Sequence, residues 1–581
     1  MANLIENAKR EIDGLLAGAY AKTAAAGELP AGAALAGTVE IPKDPQNGDY
    51  AANHAMVGAK ALRCAPWKIA DALVRHLDLA GSSFASVEAA GPGFLNFRLD
   101  QSWYGAVLRE IEAEGGHYGC SEYLGGKRYM VEFVSANPTG PMHMGNARGG
   151  VLGDTLASVL DCAGAEVWRE FYVNDAGNQI EKFAASLEAR YLQCIYGEDR
   201  ISFPEDGYQG DDIRQLARAY YEKYGDALVD KTPKERHDAL AKFGLSRNIP
   251  KMQEDLKRYR ILYDQWFYES ELYKNDYVEK TIAELTRRGY TYEKDGALWL
   301  KTAEILAEHY RKAGKTEAEI QKLDLKDDVL RRANGIYTYF ASDIAYHRNK
   351  LEKRHFDKVV NIWGADHHGH VARLKAALDA LGLNGSQRLD VVLMQLVRLV
   401  RDGEQVRMSK RTGKAISLSD LLDEIPVDAA RYFFNAKPDT QMDFDLGLAV
   451  RQDSENPVYY VQYAHARICS LVAMLAQEGY AVPKAADVDA SLLSTEQERE
   501  LIRQLAGLTD EIRMAAAQYD PSRLNRYVTE LAARFHRFYN VCRIKGEEKP
   551  LLEARLLLAD TTRRVIAIVL GILGVTAPEK M

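Results

Sequence analysis

Residues 135–149 read Ser-Ala-Asn-Pro-Thr-Gly-Pro-Met-His-Met-Gly-Asn-Ala-Arg-Gly and join the apolar run YMVEFV to the helical pattern GVLGDTLASVLDCAG. A strand that feeds a helix through so short and stiff a junction commits this part of the chain to an α/β arrangement. A tight strand-to-helix turn favours Gly, Pro and Asn for its own geometry. It has no use for His143, which stands two positions before Gly145 at the start of the helix. A helix N-terminus presents unpaired N–H groups and a partial positive charge, a ready site for phosphate. Gly145 would let a ligand approach the backbone, and His143 could donate to an oxygen that gains charge during phosphoryl or nucleotidyl transfer.

The rest of the 581 residues must supply more than one core. Residues 1–115 read as a small α+β domain: a helical start, an Ala-rich helix and loop, and a strand broken by Gly91-Pro92-Gly93. Residues 116–440 read as a Rossmann-like α/β domain, with strands at KRYMVEFVS and AEVWREFYV. Strand-like runs return at GIYTYFASDIAYH, FDKVVNIWGADHHGH and LDVVLMQLVRLV, after a polar, tyrosine-rich section at about 182–326 that reads as inserted helices. Residues 441–581 are helical in pattern to the end.

A net charge of -8 argues against indiscriminate nucleic-acid binding and leaves room for a local basic face. The six cysteines are scattered, with no C-x-x-C pair, so neither a zinc ribbon, a redox pair nor a disulfide framework is expected, and a reducing cytoplasm fits. The acid-bearing N-terminal helix is no signal peptide, and the apolar run Val565–Val575 is too short to cross a bilayer, so no membrane role is expected.

A second element, Gly403–Lys414 (GEQVRMSKRTGK), follows a strand-like run and precedes the helical SLSDLLDEI. Read alone, a solvated basic turn accounts for it. The functional reading is a cationic flap in which Lys410 steadies the charge shed onto pyrophosphate. Read together, HMGN and RMSKR resemble the paired signatures of the class I aminoacyl-tRNA synthetases. SANPTGPMH, YFASDIAYH, GADHHGH, NPVYYVQYAHARI, GDYAANHAM, GPGFLNF and the terminal TAPEKM resemble the bacterial arginyl-tRNA synthetases, in the expected order along nearly the whole chain.

That resemblance implies ATP-dependent activation of L-arginine and transfer of the arginyl group to the terminal adenosine of tRNA(Arg). It assigns His143, Gly145, Asn146 and Lys410 to catalysis. It assigns Pro138, Gly140, His143, Gly145, Asn146, Gly364, Asp366, Met408, Ser409 and Lys410 to ATP. A guanidinium is planar, permanently charged and rich in donors, so it calls for carboxylates. The resemblance places Glu132, Tyr339 and Asp343 at that end of the substrate, and Ser135, Asn137 and His367 at its backbone end. The apolar neighbours of Glu132 already make it a poor candidate for a solvated acid.

The histidines of Trp363–His370 also invite a metal reading, but they share one turn, and the resemblance gives that turn to the ATP ribose. No protein-held metal is expected; Mg²⁺ would ride on the nucleotide phosphates. The resemblance further implies tRNA contacts at Tyr463, Arg467 and Tyr539, an elbow-contacting N-terminal domain with Asn47–Asn53 as its first candidate stretch, a monomer, and a frequent need for tRNA before arginine is activated. Asn146 stands where the second histidine of the first signature is usual, and Arg407 where the first lysine of the second is usual. The rivals are a neighbouring class I synthetase, a non-catalytic tRNA-binding paralogue, and a small nucleotidyltransferase that leaves the helical C-terminal third unexplained.

Overall fold

Five parallel strands form the sheet that organises the molecule: β1 (Arg128–Glu132), β2 (Glu166–Val173), β3 (Gln265–Tyr268), β4 (Lys358–Gly364) and β5 (Leu389–Met394), in the spatial order β5-β4-β1-β2-β3. The computed structural model describes residues 3–401, 403–406, 416–436 and 440–581. Because the strand order reverses between β1 and β4, the chains leaving these two strands diverge and open a crevice at their carboxyl ends.

The helix after β1, α1 (Met144–Cys162), is buried on nearly every side. Its glycines make that possible. A Cβ added at Gly149 would meet Met394 at 3.2 Å, one at Gly150 would meet Ile261 at 2.8 Å, and one at Gly153 would fall 2.2 Å from the Phe133 ring. The helix can therefore lie directly on β1 and carry its N-terminus to the crevice.

The strand read as running to Ser135 ends at Glu132. Val134 and Ser135 take φ values of 69° and 40°, a left-handed conformation that costs a non-glycine residue on the order of 1–3 kcal/mol. The turn bends the chain away from the sheet immediately beyond Glu132.

The section at 182–326 is not purely helical. It contains Asp211–Tyr224 and Pro233–Arg258, but also β3, the edge strand of the central sheet, and a hairpin, Thr291–Lys294 with Ala297–Leu300, that pairs with Asp328–Arg331. Nor is YFASDIAYH a strand: it is helix α2 (Tyr339–Arg348), with Phe340, Ala341, Ile344 and Ala345 buried at helical spacing. LDVVLMQLVRLV divides at Gln395 into β5 and a strand, Val397–Arg401, of a different sheet.

Residues near the N-terminus form the expected α+β unit, with helix Leu4–Ala25 and a four-stranded antiparallel sheet whose Gly91–Gly93 turn closes the hairpin Phe84–Ala90/Phe94–Leu99. From Pro457 on, five long helices pack together. They are joined to the central α/β unit by Arg431, which is fully buried and donates to Asp154 Oδ2 on α1 at 2.5 Å, to the Leu573 carbonyl at 3.0 Å and to the Tyr259 carbonyl at 3.1 Å.

One expectation is overturned. Cys120 and Cys162, 42 residues apart, form a disulfide. No short spacing motif announces the pair, because the fold brings the end of α1 to the connector that precedes β1. Among the described residues, no helix is long and apolar enough to cross a membrane.

Candidate active site

His143 is the N-cap of α1, and its backbone N–H donates to Asn146 Oδ1 at 3.0 Å. That bond uses the Asn146 carbonyl oxygen and leaves its amide NH₂ as the end able to face a phosphate. Burial lowers the pKa of the His143 ring, which favours its uncharged form at neutral pH. Its backbone also pairs with Ser417, and the Leu418 N–H donates to the Met142 carbonyl at 2.9 Å. Met408, Ser409 and Lys410 lie outside the described residues. Ser417, three residues beyond Lys414, is therefore anchored directly against the His143 turn.

A cavity of about 530 Å³ opens here, lined by Ser135, Asn137, Gly140, His143 and Asn146 from the turn after β1 and by Gln179 and Asp212 from the helices beyond β2. Asn137 Oδ1 accepts from Asn174 at 3.0 Å, and the Pro138 carbonyl accepts from Asn248 at 2.8 Å, so the turn is braced from both sides. Gly145 has its own constraint: a Cβ there would sit 3.3 Å from the His143 ring. Across the crevice, Gly364 closes β4 beside Met394, and a Cβ on it would lie 2.5 Å from Asp366 Oδ1. Asp366 and His367 are exposed on the turn that leads into helix α3 (His368–Ala380). Among the described residues, no group of three or more His, Cys, Asp or Glu side chains is placed to hold a metal.

The acids Glu132 and Asp343 are not among the residues that line this cavity. Glu132 is buried, with Oε2 at 2.5 Å from Lys350 Nζ and Oε1 accepting from Ser135 Oγ at 3.0 Å. It is a partnered acid, as its apolar neighbours suggest, but the partner is a fully buried lysine, so much of its charge is already balanced. Asp343 has no such cation. His347 Nδ1 lies 2.9 Å from one of its oxygens and His370 Nε2 lies 2.5 Å from the other. Burial would raise the Asp343 carboxyl, but His347 and His370 outweigh it and hold the group well below the usual carboxylate range. Tyr339 is one turn earlier on the same helix face, exposed, with its ring against the space beside Gly177.

A third acid escapes the sequence reading. Glu269, directly after β3, is almost fully buried, and its Oε2 has no hydrogen-bond partner. Burial pushes its pKa up to about 7; a hydrogen bond with Ser342 on α2 opposes this, and the negative charges of Asp175 and Asp343 add to it. The signal available in the sequence was an acid closing the aromatic run QWFY. All three carboxylates bear on one phenol. Burial raises the Tyr172 phenol well above its usual value, and Glu269, Asp343 and Glu132 all raise it further. Also missed were Lys350, His347 and Asn361; His347 could have been found from its i+4 spacing to Asp343.

Far from this crevice, the residues expected to meet tRNA also come together. Tyr463 is exposed and stacks between Tyr459, at 6.3 Å, and His536, at 6.1 Å. The Arg467 guanidinium lies 4.3 Å over the Tyr539 ring.

Comparison with known proteins gives a consistent picture. Residues 10–99 match the family model "Arginyl tRNA synthetase N terminal domain", residues 111–446 match "tRNA synthetases class I (R), catalytic domain", and residues 461–581 match "DALR anticodon binding domain". The chain is 50% identical to the arginine--tRNA ligase of Acetivibrio thermocellus and 51% identical to that of Ruminiclostridium cellulolyticum, with both chains covered in full. Among solved structures, a putative arginyl-tRNA synthetase from Campylobacter jejuni is 32% identical with a TM-score of 0.72, over 83% of this chain and all of that one. The Thermus thermophilus arginyl-tRNA synthetase, 23% identical over 99% of this chain and all of that one, shares the fold with a TM-score of 0.72.

Proposed function

Because this chain belongs to the arginyl-tRNA synthetases, ligases built on the class I catalytic fold, we propose that the crevice between β1 and β4 is where it joins arginine to ATP and then to tRNA(Arg). The observation that carries this reading is a set of carboxylates around Tyr172. Glu132, Asp343 and Glu269 are buried or half-buried and all bear on its phenol, and among the described residues only Glu132 of the three is paired with a Lys or Arg side chain. A guanidinium supplies the missing positive charge and the forked donors that Asp343 and Glu269 can accept. Tyr339 flanks that end. Ser135 and Asn137, which line the cavity, and His367 would take the backbone end of the amino acid.

In the first step the arginine carboxylate attacks the α-phosphate of ATP, forming arginyl-adenylate and releasing pyrophosphate. The ribose and adenine lie along Gly364 and Asp366, and Pro138, Gly140, Gly145 and Asn146 let the phosphates reach the N-terminus of α1. His143 donates to oxygens that gain charge as the transferred centre passes through its transition state, and Lys410, with Met408 and Ser409, steadies the charge shed onto pyrophosphate. Mg²⁺ would be held mainly by the nucleotide phosphates and would supply neutralising charge there. In the second step a ribose hydroxyl of the terminal adenosine attacks the acyl carbon and displaces AMP. No side chain forms a covalent bond; positioning and charge stabilisation do the work. Tyr463, Arg467 and Tyr539 offer stacking and phosphate contacts to the tRNA. The reading carries with it a cytoplasmic monomer.

Arginine-dependent pyrophosphate exchange, measured with and without tRNA(Arg), tests the reading. Asp343→Asn should raise the arginine KM steeply and leave the ATP KM unchanged, because only the guanidinium loses its partner. Near-normal use of arginine by that variant would remove the pocket assignment. The tRNA arm decides whether activation waits for tRNA.

A further inference from the structure

Behind the pocket, four side chains make a hydrogen-bonded line whose direction can be read from donor chemistry alone. Lys350 can only donate. Its Nζ, 2.5 Å from Glu132 Oε2, also reaches Asn361 Oδ1 at 3.4 Å, which orients the Asn361 amide with its oxygen toward the lysine. The Asn361 NH₂ is then the end that lies 2.7 Å from His347 Nε2. Since that nitrogen accepts, the His347 proton must be on Nδ1. Nδ1 is the atom 2.9 Å from Asp343 Oδ1, and it is equally close to the Asp343 carbonyl.

The other Asp343 oxygen is treated alike. Arg373, also a donor only, approaches His370 Nδ1 at 3.4 Å, which leaves the proton of His370 on Nε2, 2.5 Å from Asp343 Oδ2. Asp343 thus receives an N–H from His370 on its Oδ2, while the His347 N–H donates to the Asp343 carbonyl and lies equally close to Oδ1. Each ring accepts through its far nitrogen and turns its other nitrogen toward Asp343. Lys350, Asn361 and His347 are all essentially inaccessible to solvent, so water cannot replace a missing member of the line.

We propose that His347 is a positioning residue for arginine recognition: oriented by Asn361 and Lys350, it fixes the placement of the Asp343 carboxylate. The inference rests on Asp343 being the guanidinium acceptor. It also links the two acids of the pocket, because Lys350 serves Glu132 at one end of the line and, through Asn361 and His347, Asp343 at the other. Neither His347 nor Asn361 touches the substrate; both act through Asp343.

The test uses the full-length enzyme with tRNA(Arg) and has a spectroscopic and a kinetic part. In ¹⁵N-histidine NMR at neutral pH, the signal lost in His347→Asn should be that of a neutral ring protonated on Nδ1. A ring protonated on Nε2, or an imidazolium, would overturn the proposal. In pyrophosphate exchange, His347→Leu should raise the arginine KM by roughly 10- to 100-fold, the worth of one hydrogen bond to a charged group, with the ATP KM and the kcat at saturating arginine unchanged. His347→Asn, whose amide N–H reaches the position of Nδ1–H, should recover most of that loss. An unchanged arginine KM in His347→Leu, or no recovery in His347→Asn, would overturn the proposal. Should the leucine variant fail to fold, the NMR signature and the asparagine variant still decide. Asp343→Asn run in parallel separates the two levels. If it too leaves the arginine KM unchanged, the pocket reading fails; if it alone raises that KM, only the role of His347 fails.

Discussion

Glu269 is the residue whose environment makes the sharpest demand. Its carboxyl is pushed from the usual 4.5 to about 7, by burial first of all. Between those values the folded chain holds a proton that the unfolded chain has released, so stability contributed by the protonated form is lost as pH rises through about 7. A bound guanidinium reverses the preference, because a neighbouring positive charge favours the carboxylate. Arginine binding is therefore expected to expel a proton near neutral pH, and its affinity to rise as the solution goes from slightly acid to slightly alkaline. Calorimetry in two buffers of different ionisation enthalpy measures this directly. Glu269→Gln should abolish the proton release; equal affinity on both sides of neutrality in the unaltered enzyme would take Glu269 out of the pocket. Asp343 behaves in the opposite way: its pKa is already low, so it adds charge to the pocket at every pH where the enzyme works.

Among the secondary-structure elements, the pair β1 and α1 was legible in the sequence, because a strand period, a Gly/Pro-rich turn and a helical period follow one another within about forty residues. The strained Val134-Ser135 turn was not, since nothing in a β-branched residue announces a left-handed φ. Helix α2 was misread as a strand because its apolar residues run almost without interruption, and such a run fits a buried helix as well as a buried strand. Strand β3 was hidden inside a polar section by its four-residue length. The close approach of α1 to β1 depends on Gly153, where a Cβ would stand 2.2 Å from the Phe133 ring. Gly153→Ala must push the helix or the ring aside, and overpacking of this kind costs about 1–3 kcal/mol. Urea unfolding should show that loss; an alanine variant as stable as the parent would mean the helix–strand contact is looser than the structure has it.

At the scale of the whole molecule, the arrangement brings distant sequence together at one edge of one sheet. The turn after β1 carries His143, the turn after β4 carries Gly364 and Asp366, α2 carries Asp343, and Ser417 pairs with His143. The sequence motifs named most of these residues, because each turn carries its chemistry locally. They did not name Glu269, Lys350, Asn361 or His347, whose roles exist only once the sheet has formed and Arg431 has locked α1 against the C-terminal helices.

A crystal structure of the enzyme with a non-hydrolysable arginyl-adenylate analogue tests that arrangement most directly. The predicted complex has the guanidinium between Asp343 and Glu269, the acyl-phosphate mimic within hydrogen-bonding reach of His143 and the N-terminus of α1, and the ribose on the Gly364–Asp366 turn. An analogue bound with its guanidinium away from both carboxylates, or with its adenosine outside the β1–β4 crevice, would contradict it.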